Sequence, residues 1–315
     1  MVYKVTTSEV IKDDKTAVFY DVIVGVHHAI QQSYTFQGST SGYTSGGAPG
    51  GNIIDKFPFS TDANATDVGD LTQARQGPGG NSSETHGYSS GGTPPTSNVI
   101  DKFPFSSDAN ATDVGDLTQT RGYSAGQSSE TNGHTSGGAP GGNIIDKFPF
   151  STDANATDVG DLTQARGYMA GQSSNTHGYT SGGYVSAPLN TIDKFPFSSD
   201  ANATDVGDLT QSRDEAAGQS SDTSGYTSGG LYLPGVTTID KFPFSSDANA
   251  TDVGDLSVAR RASAGQSSTG SGYTSGGAPP AVLNVIDKFP FSTDANATDV
   301  GDLSVAREYT AGQQV

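Results

Sequence analysis

The 315-residue chain has no cysteine, no tryptophan and only two methionines. Without cysteine there are no disulfides, no thiolate metal ligands and no cysteine nucleophile. That economy fits synthesis in a reducing compartment. Basic residues are also scarce: 16 Lys and Arg stand against 34 Asp and Glu, a net charge of −18. Such a surface repels phosphate backbones and anionic bilayers, so nucleic acid and membrane insertion are not expected. Apolar residues make up 32%, and no run approaches the roughly 20 apolar residues of a membrane span. The opening stretch lacks the pattern of a signal peptide, because the apolar run 17–26 is interrupted by Asp21 and preceded by Lys12, Asp13, Asp14 and Lys15.

Catalytic constellations are missing too. The five histidines are His27, His28, His86, His134 and His177. They form no His-x-x-x-His pair. His134 stands in "HTSGG" where other units read "YTSGG", a swap of one packing aromatic for another. Near-identical units also argue against a single asymmetric active site, so the chain is read as a non-enzyme.

What is present is repetition. The phrase "DKFPFSSDANATDVGDLTQ" begins at Asp101, and near-copies begin at Asp55, Asp146, Asp193, Asp240 and Asp287. Successive starts lie 45 to 47 residues apart, a period that marks a repeat architecture. Val99, Asp101, Phe103 and Phe105 alternate with Ile100, Lys102 and Pro104, which places both Phe rings on one face of a strand. Pro104 cannot donate a ladder hydrogen bond and is expected at an edge. "SSDANA" reads as a turn built by Ser, Asp and Asn. "TDVGDL", "VARRASAGQSS" and "GYTSGG" supply three further strands. No amphipathic helical period is found. Four short antiparallel strands per unit, six times over, predict an all-β fold: a six-bladed β-propeller over residues 41–315. The chain ends at "LSVAREYTAGQQV", before a last "GYTSGG", while "SGYTSGG" stands alone at 41–47. The ring is therefore expected to close by that N-terminal strand completing the last blade, which hides two sheet edges. Residues 1–40 match no repeat and read as a β arm for attachment and oligomerisation.

Several residues are candidates for function. Arg75, Arg121, Arg166, Arg213, Arg260 and Arg307 recur once per unit. They read either as a cationic ring around a channel or as buried structural partners of Asp, and the abundance of recurrent Asp favours the second. In "DANATDVGD" the residues Asp62, Asn64, Thr66 and Asp70, repeated as Asp108, Asn110, Thr112 and Asp116, have the spacing of a Ca²⁺ loop. The turn-making Gly of such a loop is replaced by Asp67, so an Asx-capped turn is the other reading. Two segments diverge while the rest is copied: one follows each Arg, the other follows each Gly-Gly. Loops on a rigid scaffold are where binding usually resides, and Tyr168, Tyr184 and Tyr232 there are candidate contacts for sugars or proteins.

The stretch "GDLSVARRASAGQSSTGSGYTSGG" resembles a Kelch repeat, with Leu256, Arg260, Tyr273, Gly276 and Gly277 as its landmarks. The Trp usual before the Leu is missing, so the Phe pair is expected to take part in inter-blade packing. The "KFPF" and "ATDVGD" units also resemble repetitive proteins predicted in marine bacteriophages. That resemblance implies a virion structural protein, in tail or capsid surface, whose partners are its own copies, other virion proteins and host-surface glycans. A free carbohydrate-binding lectin is the alternative. No cofactor is implied beyond the Ca²⁺ reading.

Overall fold

The computed structural model describes residues 10–13, 16–23, 26–31, 36–49, 51–140, 142–231, 235–278 and 281–315, with side chains described from Phe36 onward. Two compact units result, 1–35 and 36–315. In the first, Val10–Asp13, Thr16–Ile23 and Val26–Gln31 form a three-stranded antiparallel sheet in sequence order. His27 and His28 lie on its third strand.

The second unit is a six-bladed propeller of four-stranded antiparallel sheets. Its first blade runs from the axis outward as Gly79–Ser82, His86–Ser90, Val99–Pro104 and Thr112–Asp116. Four more blades follow, with inner strands Ala125–Ser128, Ala170–Ser173, Ala217–Ser220 and Ala264–Ser267. The closing blade joins the chain's two ends. Its inner strand Ala311–Gln314 pairs with Ser41–Ser45, which is followed by Ile53–Pro58 and Thr66–Asp70. The propeller unit begins at Phe36, ahead of the expected 41, because Gly38 bonds to the Ser267 carbonyl and Phe36 is buried at one end of the axis.

Pro104 does not sit on an edge strand. Val99–Pro104 lies between two partners, but the outer strand has stopped pairing at Lys102. Phe105 donates its N–H inward to Thr85, so by alternation the missing N–H of Pro104 faces the side already unpaired.

Each blade is fastened to its neighbour by the repeated phrase itself. Phe103 and Phe105 reach across to Tyr43 of the closing blade, with ring centroids 5.7 and 4.8 Å away. Tyr88 takes Phe148 and Phe150 in the same way, and Tyr226 takes Phe289 and Phe291. His134 fills the Tyr position of its blade and stacks on Phe197 at 4.8 Å. Near the axis, side-chain amides cross between blades: Gln172, Gln219 and Gln266 donate to the carbonyls of Tyr226, Tyr273 and Tyr43.

Candidate functional site

The six recurrent arginines occupy one kind of place. Each leaves the outer strand of its blade and enters the next blade, where it meets the Asp of Asp-Lys-Phe-Pro-Phe. Arg75 pairs with Asp101 at 2.7 Å, Arg121 with Asp146 at 2.8 Å, Arg166 with Asp193 at 3.1 Å and Arg213 with Asp240 at 2.9 Å. Arg260 pairs with Asp287, and Arg307 closes the circle on Asp55 at 2.8 Å. Every Asp is buried. A hydroxyl three residues before the Arg finishes the clamp: Thr72 donates both its N–H and its Oγ1–H to Asp101, and Ser304 does the same for Asp55. Burial lowers the Arg75 pKa, opposed by the charge of Asp101. These guanidiniums are committed between blades and do not line the axis.

Of the residues with calcium-loop spacing, the first Asp and the Asn of each copy have side-chain partners. Asp62 pairs with Lys288 of the fifth blade and Asp108 with Lys56 of the closing blade. The Asn64 and Asn110 side-chain oxygens accept the N–H of Asp302 and of Asp70. Asp116 gives its own N–H to Asn155. Thr66 and Thr112 begin exposed outer strands. Among the described residues, no group of three His, Cys, Asp or Glu is placed to hold a metal. The Asx-capped turn describes this loop: Asp67 and Asp113 accept the N–H two residues on, at Gly69 and Gly115.

The divergent segment after each Arg does converge. Its second residue is Gly77, Tyr123, Tyr168, Glu215, Ala262 or Tyr309 around the ring. These six positions form a closed circle of backbone hydrogen bonds at one mouth of the axis. Tyr123 donates to Gly77, Tyr168 to Tyr123, Glu215 to Tyr168, Ala262 to Glu215, Tyr309 to Ala262 and Gly77 back to Tyr309, all at 2.6–2.8 Å. All six have left-handed φ, between 56° and 63°. Tyr, Glu and Ala are strained there, and the cyclic bonding that six blades impose is what holds them.

Three tyrosines meet on this circle. Tyr123 and Tyr168 stack at 4.3 Å, and Tyr309 meets Tyr123 edge-on at 5.3 Å. Tyr309 donates its hydroxyl proton to Glu215 at 2.8 Å, and Arg261 pairs with the same carboxylate. Burial pushes the Tyr309 hydroxyl well up, with Glu215 adding to the effect. Burial, then the Glu215 charge, raise Asp214 to about 6. Burial also raises Glu308. Below the circle lies a cavity of about 70 Å³, walled one residue further on by Ser124, Met169, Ser263 and Thr310 among others.

Of the tyrosines expected to bind, Tyr168 belongs to this site and is half-buried, whereas Tyr184 stands apart in a loop after Gly-Gly, 40% exposed. Tyr232 lies outside the described residues. Sequence reading missed Tyr123, Tyr309, Glu215 and Arg261 as their companions. The signal was in the alignment of units, because all four lie within two residues of the recurrent Arg. At the opposite end of the axis, Phe36 lies over the inner strands, and Gln37 and Gln314 make hydrogen bonds there. Scans of protein-family models and of curated proteins return no match for the chain.

Proposed function

We propose that the chain is a non-catalytic structural component of a bacteriophage virion, in the tail or on the capsid surface. One observation carries the non-catalytic, assembly-type reading: the copied polar and charged residues of each blade are spent on the adjacent blade. The Asp–Arg–Thr clamp is buried between blades, and the Lys–Asp pair and the Asn cap fasten adjacent blades at the surface. They build a rigid ring, and variation is left to the loops that such a ring presents. The partners are other copies of the chain, other virion proteins and host-surface glycans.

The placement in a virion is supported by the likeness of the "KFPF" and "ATDVGD" units to repetitive proteins predicted in marine phages. A Kelch-like relationship is supported by landmark order: Leu256 and Tyr273 are core residues, and Arg260 clamps Asp287. The Trp expected of that repeat is absent, and the Tyr–Phe–Phe contact takes its place between blades. A free lectin is the second reading, favoured by exposed Tyr184 beside exposed Val185 in one inter-strand loop.

The test is immunogold electron microscopy of particles from the source, with antibody raised against the propeller. Regular labelling at one place on virions is the expected result. Bare virions, with label on cell surfaces or only in soluble material, would overturn it. Saturable binding on a glycan array would then favour the lectin.

A further inference from the structure

The mouth formed by the circle of six is the least repetitive part of a repetitive ring, and its chemistry is one-sided. Glu215 lines it, Asp214 and Glu308 lie within electrostatic reach of Glu215, and among the described residues Arg261 is the cation that offsets them. Three tyrosines line the rim and the thioether of Met169 lies deeper. On the cavity wall, Ser124, Ser263 and Thr310 are each 8% exposed, and none of their hydroxyls has a hydrogen-bond partner. Three residues of one wall thus carry buried hydroxyls that the fold leaves without partners, and a ligand able to hydrogen-bond could satisfy those that turn toward the mouth.

Size and charge choose among ligands. A cavity that encloses benzene measures about 150 Å³, and a pyranose is bulkier than benzene, so the 70 Å³ of this open mouth does not enclose a sugar ring. An anion is repelled by the excess of carboxylates. A divalent metal lacks a set of three grouped ligands among the described residues. A slender cation meets every feature: its alkyl stem lies along the tyrosines and Met169, aromatic π surface favours its charge, and an ammonium head has three protons to donate to hydroxyl oxygens.

We propose that this axial mouth binds one primary alkylammonium group per chain, of the kind a lysine side chain or a free alkylamine carries. The site works alike wherever the protein resides, so it does not rest on the virion reading.

The experiment is calorimetric titration of the full chain with n-butylammonium chloride, with n-butanol and methyl glucoside as comparisons. Butylammonium is expected to saturate one site per chain in the millimolar range, as suits a ligand of so few atoms. Butanol, which keeps the stem and loses the charge, is expected to bind roughly tenfold more weakly or not at all. The ring itself supplies harmless substitutions. Ala262 occupies the position of Glu215, Ala216 that of Ser263, and Gly122 and Gly167 that of Asp214. E215A, S263A and D214G should therefore keep the thermal midpoint near that of the unaltered chain while weakening butylammonium by roughly tenfold. A lysine-containing peptide that binds more tightly than butylammonium assigns the cation to a protein partner, and equal affinity assigns it to a free amine. Absence of saturable butylammonium binding, a stoichiometry near six, indifference to all three substitutions, or preference for methyl glucoside would overturn the proposal.

Discussion

At the residue scale, buried charge is the main stake. Asp193 and Arg166 are both fully enclosed, and an enclosed charge without its partner is expensive. Asp193→Ala is expected to lower unfolding free energy by about 3–5 kcal/mol in urea denaturation. Replacing both partners with apolar residues of similar volume, Arg166→Met with Asp193→Leu, should cost less than the single change, since no orphaned guanidinium remains. A double mutant at least as unstable as the single would show that the pair contributes more than mutual neutralisation.

His134 offers a second residue-scale test. Burial lowers its pKa to about 3, with a smaller push from Lys147. The folded state therefore holds the neutral ring, while the unfolded chain takes up a proton near pH 6.5. The stability is complete above about pH 6.5 and is lost progressively as pH falls toward 3. His134→Tyr restores the residue found at this place in the other blades and removes that loss. The thermal midpoints of the two proteins are expected to diverge as pH drops through this window, the variant being higher. Parallel curves would contradict the burial argument.

At the element scale, the inner strands come so close that their second residue has no room for a side chain. A Cβ on Gly126 would lie 2.0 Å from the Gly80 carbonyl oxygen, and one on Gly312 equally close to Gly265. Backbone cannot yield as a side chain can, so Gly126→Ala is expected to cost about 3 kcal/mol. Gly270→Ala, where nothing lies within 4 Å, should change stability by less than about 0.5 kcal/mol. Chemical denaturation of the two variants side by side checks both. The third strand shows the same economy in another form: Phe103 lies directly across from Gly87, whose missing side chain leaves room for the ring.

At the whole-molecule scale, closure depends on five residues at one end. Residues 311–314 supply the inner strand of the closing blade, and Val315 exchanges backbone hydrogen bonds with Ser41. Removing 311–315 opens the edge of Ser41–Ser45 and breaks the circle of hydrogen bonds beside Tyr309. An unpaired edge invites association. The truncated protein is expected to lose its single cooperative unfolding transition and to oligomerise, which calorimetry and light scattering would record. A monomer with one unchanged transition would mean that five blades hold without the strap.

The blade was legible in the sequence because its signals are local and copied six times. A 45–47-residue period, alternation around Phe103 and Phe105, and turn chemistry in "SSDANA" each act within a few residues. Six repeats of the same error would not have cancelled, but the same signal repeated six times was hard to misread. The missing "GYTSGG" at one end and its spare copy at the other made ring closure readable as well. What the sequence could not say was who meets whom. Asp101 finds Arg75 and Thr72 from the preceding blade, and Asp62 finds Lys288 across the ring closure. The spacing of "DANATDVGD" allowed a metal loop, and only the tertiary structure shows that Asp62 and Asn64 meet the neighbouring blade. The axial mouth is the clearest case. Tyr123, Tyr168, Glu215 and Tyr309 are 45 to 47 residues apart or multiples of that, and only the closing of six blades on one axis brings them together. Composition and periodicity determine local structure because they act through short-range sterics and burial. The site belongs to the ring, because its geometry exists only where all the blades converge.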